Sequence, residues 1–68
     1  MKVPFLVKVS ISDLNVRKEP TVDSDRVKFC PPGVYTIVEV KSGKGSDAEW
    51  GRLKSGAGWI ALSFVKRI

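Results

Sequence analysis

Short runs of β-branched and aromatic residues alternate with polar segments that contain Gly and Pro along the whole chain. Turn signals recur about every 8–12 residues, which is typical of a small sandwich or barrel. No stretch of ten residues has the period of an amphipathic helix. The strands that this pattern predicts cover residues 3–9, 14–17, 26–30, 34–41, 49–54, 59–60 and 65–68, with a single helical turn over 61–64. The sequence therefore predicts an all-β antiparallel barrel of five to seven short strands.

The connections between these strands have recognisable turn chemistry. Residues 19–25 contain Pro20 among mostly polar residues and predict a loop. Residues 31–33 (P-P-G) predict a turn, since proline has no backbone N–H to donate to a neighbouring strand and glycine tolerates positive φ. Residues 42–47 (S-G-K-G-S-D) predict a flexible polar hairpin tip. The alternation within 34–41 is imperfect, so either both faces of that strand are covered or a bulge shifts its phase.

Period-two alternation sorts the side chains of the second strand onto two faces. Leu14 and Val16 point one way and are predicted to lie in the core, and Asn15 and Arg17 lie side by side on the other face. For Arg17 we expect a solvated or salt-bridged guanidinium, with Glu19 or Glu49 as partner. Asn15 is also of the type that often bonds loop backbone.

The aromatic residues divide in the same way. Leu53 is predicted to be a core residue, which places Trp50 on the opposite face with Arg52. An aromatic ring on that face must be covered by a loop or left for a partner. Trp59 is predicted to lie in the core, with Trp59 or Phe64 filling the space beside Gly51. Tyr35 fits either a packed ring with a wet hydroxyl or a binding rim.

Composition limits the size and partners of the chain. Its 68 residues, 43% hydrophobic and 28% charged, predict one small globular domain. Twelve Lys and Arg against seven Asp and Glu give a net charge of +5, spread evenly along the chain. A positive net charge attracts any polyanionic partner weakly. It therefore fits wall polymers, nucleic acid or a membrane equally well and does not distinguish between them. No apolar run is long enough to insert across a bilayer.

The chain contains few residues of the types that carry out catalysis or bind metal ions. The chain has no histidine and a single cysteine, Cys30, predicted to be a small buried hydrophobe. Zinc sites and imidazole-based catalysis therefore lack their usual groups. Residues 43–46 (G-K-G-S) lack the spacing of a phosphate-binding loop. We expect no catalytic residue, no metal and no cofactor.

Three segments resemble the signatures of bacterial SH3 (SH3b) domains. Residues 14–20 (L-N-V-R-K-E-P) resemble the opening signature, and residues 32–39 (P-G-V-Y-T-I-V-E) fit the central strand. Residues 50–65 (W-G-R-L-K-S-G-A-G-W-I-A-L-S-F-V) resemble the closing signature. The sequence of residues 50–60 is similar to that of the C-terminal domains of clostridial and bacillar endolysins and autolysins. Glu19 departs from the glycine usual at that position, so the turn and the groove beside it are expected to differ.

The resemblance implies an SH3-like barrel that binds the cell wall. Its implied ligand is peptidoglycan (stem peptide, cross-bridge or glycan) or an associated wall polymer, bound beside the loop between residues 17 and 26. The implied parent is a peptidoglycan hydrolase, an N-acetylmuramoyl-L-alanine amidase or muramidase, acting outside the cell or in the wall. The resemblance also implies that residues 1–68 are one domain excised from the C-terminus of this larger protein, a monomer that tethers the catalytic domain. The candidate ligand-binding residues are Asn15, Arg17, Tyr35, Glu49, Trp50 and Arg52.

Three other functions fit the same sequence less well. A binder of proline-rich peptides needs an aromatic groove, and Tyr35 is the only tyrosine. A nucleic-acid binder needs aromatics interleaved with cations on one strand, and only Trp50 and Arg52 offer this, so we expect no specific nucleic-acid partner. A structural or regulatory domain that packs on its parent's catalytic domain requires none of these features.

Overall fold

The computed structural model describes residues 3–46 and 48–68, and it is all-β. The strands are β1 (Phe5–Val9), β2 (Leu14–Arg17), β3 (Arg26–Cys30), β4 (Gly33–Lys41), β5 (Trp50–Leu53), β6 (Trp59–Ala61) and β7 (Lys66–Arg67). A 3-10 turn, Leu62–Phe64, precedes β7, where the sequence predicted a single helical turn. Within the described ranges no helix has the length and apolarity to cross a membrane. Met1, Lys2 and Asp47, which belong to the predicted N-terminal run and hairpin tip, lie outside the described residues.

All seven strands form one antiparallel sheet in the order β3-β2-β6-β5-β4-β1-β7. In a flat sheet, four strand spacings would put β1 and β2 about 19 Å apart. Yet Val7 and Val9 of β1 share one buried cluster with Leu14 and Val16 of β2. The sheet therefore curls around its core, as the prediction of a small barrel requires.

The core is built by period-two alternation. In β1 the odd-numbered residues Phe5, Val7 and Val9 are buried, while Leu6 and Lys8 are exposed. The predictions of core positions at Leu14, Val16 and Leu53 are confirmed. The other buried members of this cluster are Cys30, Ile37, Ile60 and Leu62.

Strand β4 contains the phase shift that its irregular alternation suggested. Its pairing with β5 changes register between Ile37 and Glu39, so one residue is inserted there. The bulge turns Ile37 into the core and leaves Glu39 partly exposed beside Arg52. The predicted strand over 49–54 is shorter in the structure, because Glu49 adopts a left-handed conformation with φ of 74° just before β5.

The thiol of Cys30 is buried, as predicted, with 1% of its surface exposed. Burial raises the pKa of this thiol, and the hydrogen bond with Tyr35 and the charge of Lys28 offset the rise only in part. Since the thiolate is the reactive species, we expect iodoacetamide at pH 8 to alkylate the folded chain at least about tenfold more slowly than the chain in urea. Equal rates would show that Cys30 is open to solvent. Because the pKa is raised in the folded state, Cys30 favours folding less as the pH rises above about 8.5.

Candidate functional site

A second apolar cluster lies on the outer face of the sheet. It consists of Trp50, Trp59 and Ala61, which are buried but separate from the core. Trp50 lies opposite Ala61, and Trp59 lies between Arg52 on β5 and Arg17 on β2. Directly paired residues share a face, so this cluster and the two arginines occupy the same side. Trp59 is thus buried as predicted, though against the outer face.

Trp50 is covered by a loop rather than left open. Its side chain is 2% exposed, and its indole Nε1 donates a hydrogen bond to the carbonyl of Lys44 at 3.2 Å. Gly43 lies against the indole ring and against the carbonyl of Pro20, where a larger residue would not fit. Of the two outcomes expected for this ring, cover by a loop is the one observed.

An open groove of about 230 Å³ lies between this loop, β2 and the 3-10 turn. Its lining residues come from five segments of the chain: Ile11, Asp13, Leu14, Asn15 and Arg17 at and before β2, Val22 and Gly45 from two different loops, Trp50 from β5, and Ala61 and Phe64 from the end of β6 and the 3-10 turn. The groove therefore combines apolar side chains with one carboxylate and one guanidinium. It also lies beside the loop between residues 17 and 26, where the resemblance placed a ligand.

The two loops that form one wall of the groove hold each other in place. The backbone N–H of Val22 donates to the carbonyl of Lys44 at 3.1 Å, and Nζ of Lys44 lies 3.4 Å from a carboxylate oxygen of Asp23. Gly45 packs so closely on Val22 that a β-carbon there would overlap its side chain. The predicted flexible tip is therefore anchored at Lys44, which accepts hydrogen bonds from both Val22 and Trp50.

Asn15 lines this groove and carries a buried acceptor. Its Oδ1 is closed off from solvent and has no hydrogen-bond partner among the described residues. Most buried polar atoms in proteins are paired, and leaving one unpaired costs about 1–3 kcal/mol. Asn15 therefore does not bond loop backbone through this atom, and its side chain must rotate to bring the Oδ1 to a donor in the groove.

Arg17 is fixed by the backbone instead of by a carboxylate. Its Nη1 donates to the carbonyl of Ser24 at 2.9 Å, which holds the guanidinium against the β2–β3 loop. In the described part of the chain, neither Glu19 nor Glu49 forms an ion pair with it, so of the two alternatives expected for Arg17 the salt bridge was wrong. The bond to Ser24 uses one of five N–H donors of the guanidinium.

The other candidate residues lie outside the groove. Tyr35 lines a separate depression with Val34 and Lys54, and its hydroxyl donates to the carbonyl of Pro31 at 2.6 Å. Arg52 forms an ion pair of 3.3 Å with Glu39. The structure thus brings Asn15, Arg17 and Trp50 together and leaves three candidates apart: Tyr35, Glu49 and Arg52.

Sequence reasoning missed the apolar rim of the groove. Phe64, Ile11 and Val22 are 58%, 37% and 37% exposed, and all three line it. The expectation that Phe64 or Trp59 fills the space beside Gly51 was wrong, because Leu62 and Ile37 fill it. The available signal for Phe64 was its position two residues after Leu62 in the predicted helical turn. A 3-10 turn points two such side chains in different directions, so a buried Leu62 leaves Phe64 on the surface.

Neither a metal site nor a similarity to known proteins assigns a function to this groove. Within residues 3–46 and 48–68, no three His, Cys, Asp or Glu side chains are grouped so as to hold a metal ion. Searches against protein-family models, curated proteins and solved structures give no match to the chain.

Proposed function

We propose that this chain is a bacterial SH3-type module that binds the peptide part of peptidoglycan without transforming it. The observation that carries the proposal is the open groove lined by Asn15, whose buried Oδ1 has no partner among the described residues. A rotation of the Asn15 side chain would turn this acceptor into the groove, where a peptide ligand offers a backbone N–H at each residue other than proline. The motif resemblance supports the choice of a wall peptide as that ligand.

The groove has the mixed chemistry that a wall peptide requires. Asp13 supplies a carboxylate for a free ammonium, and Arg17 supplies N–H donors for a free carboxylate. The exposed rings and branched chains of Phe64, Ile11 and Val22 offer contact area to short aliphatic side chains. A glycan would leave the two charges without ionic partners, so the groove favours a peptide.

The module would act by tethering. The module would be linked to a peptidoglycan hydrolase, either an amidase or a muramidase. Once the module is bound to the wall, the encounter of the linked hydrolase with its substrate becomes intramolecular. Such a module needs no reacting group of its own, and its place of work would be the bacterial cell wall. Its contribution to turnover would come from local concentration alone.

Substitution of Asn15 tests the proposal without disturbing the fold. Asn15→Ala removes a buried acceptor that has no partner among the described residues, so we expect the free energy of unfolding to stay the same or to rise, by at most about 1–3 kcal/mol. Binding to purified Gram-positive sacculi should weaken by up to about tenfold, the value of one hydrogen bond. Co-sedimentation at about 0.15 M salt and urea unfolding give the two measurements.

Phe64→Ser and Ile68→Ser form a matched pair for the same assay. Both side chains are exposed, at 58% and 66%, but only Phe64 lines the groove. We expect the first substitution to weaken sedimentation with sacculi and the second to leave it unchanged. The proposal fails if the unmodified chain stays in the supernatant, or if both variants behave alike.

A further inference from the structure

The sheet has a second outer face that carries both apolar and cationic side chains. We define the β1 face by Leu6, Lys8, Val34, Lys66 and Ile68. Lys8 lies directly opposite Lys66 on one side and Val34 on the other. The backbone N–H of Ile68 donates to the carbonyl of Leu6 at 3.0 Å, which brings these two residues together. The core separates this face from the groove, because β1 and β2 lie on opposite sides of the curled sheet.

The lysines of the β1 face have no acidic partner in the described part of the chain. The ion pairs found there use Glu39 and Asp23, with Lys41, Arg52 and Lys44 as the cations. The remaining described carboxylate side chains are those of Asp13, Glu19, Asp25 and Glu49, none of which belongs to β1, β4 or β7, and the terminal carboxylate of Ile68 forms none of these ion pairs. Like charges directly opposite each other on neighbouring strands repel. Lys8 and Lys66 therefore form a site that an anion would stabilise.

The same face exposes three large aliphatic side chains. Leu6 is 45% exposed, Val34 57% and Ile68 66%. A soluble polyanion would use the lysines but gain little from these apolar groups. An anionic bilayer uses both, because its headgroups attract lysine and the boundary of the acyl region accepts aliphatic side chains.

We infer that the β1 face docks peripherally on a bilayer rich in anionic lipid. The lysines would lie at the level of the lipid phosphates, with Leu6, Val34 and Ile68 directed into the interface. Because the groove lies across the core, both surfaces would be accessible together. This inference does not depend on what the groove binds.

Vesicle co-sedimentation tests the docking. We expect the 68-residue chain to sediment with vesicles of equal parts phosphatidylglycerol and phosphatidylcholine, and to stay in solution with pure phosphatidylcholine. The double substitution Lys8→Gln/Lys66→Gln should lower the partition coefficient about fivefold per lysine removed. Leu6→Ser should lower it further, and Asn15→Ala should leave it unchanged.

A charge-matched control separates this face from net charge. Lys18→Gln/Lys28→Gln removes the same charge from exposed lysines elsewhere, and it should have the smaller effect. Lys8→Gln/Lys66→Gln should be at least as stable in urea as the unmodified chain, since it removes a repulsion. Equal effects of the two double variants would overturn the inference, as would failure to bind the anionic vesicles at about 0.1 M salt. Binding insensitive to both Leu6→Ser and Ile68→Ser would instead indicate a site for a soluble polyanion and would also overturn it.

Discussion

Trp50→Ala should lower the free energy of unfolding by about 3–5 kcal/mol, the usual cost of removing a buried aromatic ring. The indole is 2% exposed and lies in a cluster with Trp59 and Ala61. The substitution leaves a cavity beneath the β4–β5 loop and removes the donor that holds the carbonyl of Lys44. Small domains have little stability to lose, so we expect a large population of unfolded chain. Urea unfolding followed by far-UV circular dichroism measures the change.

Trp50→Phe is the control that separates volume from hydrogen bonding. It keeps an aromatic ring in the cluster but cannot donate to Lys44, so we expect a clearly smaller loss than for alanine. A cost below about 1 kcal/mol for Trp50→Ala would contradict the buried position of the indole. Loss of wall binding in Trp50→Ala would reflect unfolding as much as contact with a ligand. Asn15→Ala is therefore the better test of the groove.

Gly58→Ala should destabilise the domain by about 2–5 kcal/mol, from backbone strain and steric overlap combined. Gly58 has a φ of 144°, and a β-carbon there would overlap the carbonyl oxygen of Arg17 and approach Val16 Cγ1 to 3.0 Å. This contact is where β6 begins against β2. To relieve the overlap, the chain must separate the two strands that position Arg17 in the groove.

Gly56→Ala is the matched control in the same turn. Gly56 also has positive φ, at 80°, but a β-carbon there has nothing within 4 Å. It should cost only the conformational strain of about 1–2 kcal/mol. The difference between the two variants in urea unfolding reports the close approach of the strands together with the greater strain of an L-residue at φ 144° than at 80°. Equal costs would show that conformation alone, and not the contact with Arg17, requires glycine at residue 58.

Local features of the sequence predicted most of the strand framework. The alternation of Leu14 with Asn15 and of Val16 with Arg17 is confirmed, because a strand places neighbouring side chains on opposite faces whatever its partners are. The bulge in β4 was visible as a break in alternation before Glu39. The prediction of strand ends was less accurate at residue 49. The strand was predicted to begin there, but the loop before β5 holds Glu49 in a left-handed conformation and β5 begins at Trp50.

The site was only partly predictable. Arg17 was expected to be solvated or paired with a carboxylate, yet it bonds the carbonyl of Ser24, because the β2–β3 loop folds back over the strand. Arg52 shares a face with Trp50 but is held by Glu39 across β4. Phe64 lies on the groove because a 3-10 turn, and not a strand, connects β6 to β7.

The sequence by itself determined that the chain forms short antiparallel strands, that Leu14, Val16 and Leu53 face the core, and that Asn15 and Arg17 share an outer face. These properties depend on periodicity and turn chemistry, which act between neighbours in the chain. Only the tertiary structure decided that a loop buries Trp50, that the Oδ1 of Asn15 has no partner among the described residues, and that Lys8 and Lys66 lie opposite each other. Those features arise where residues far apart in sequence meet, and the curl of the sheet and the docking of its loops determine which residues those are.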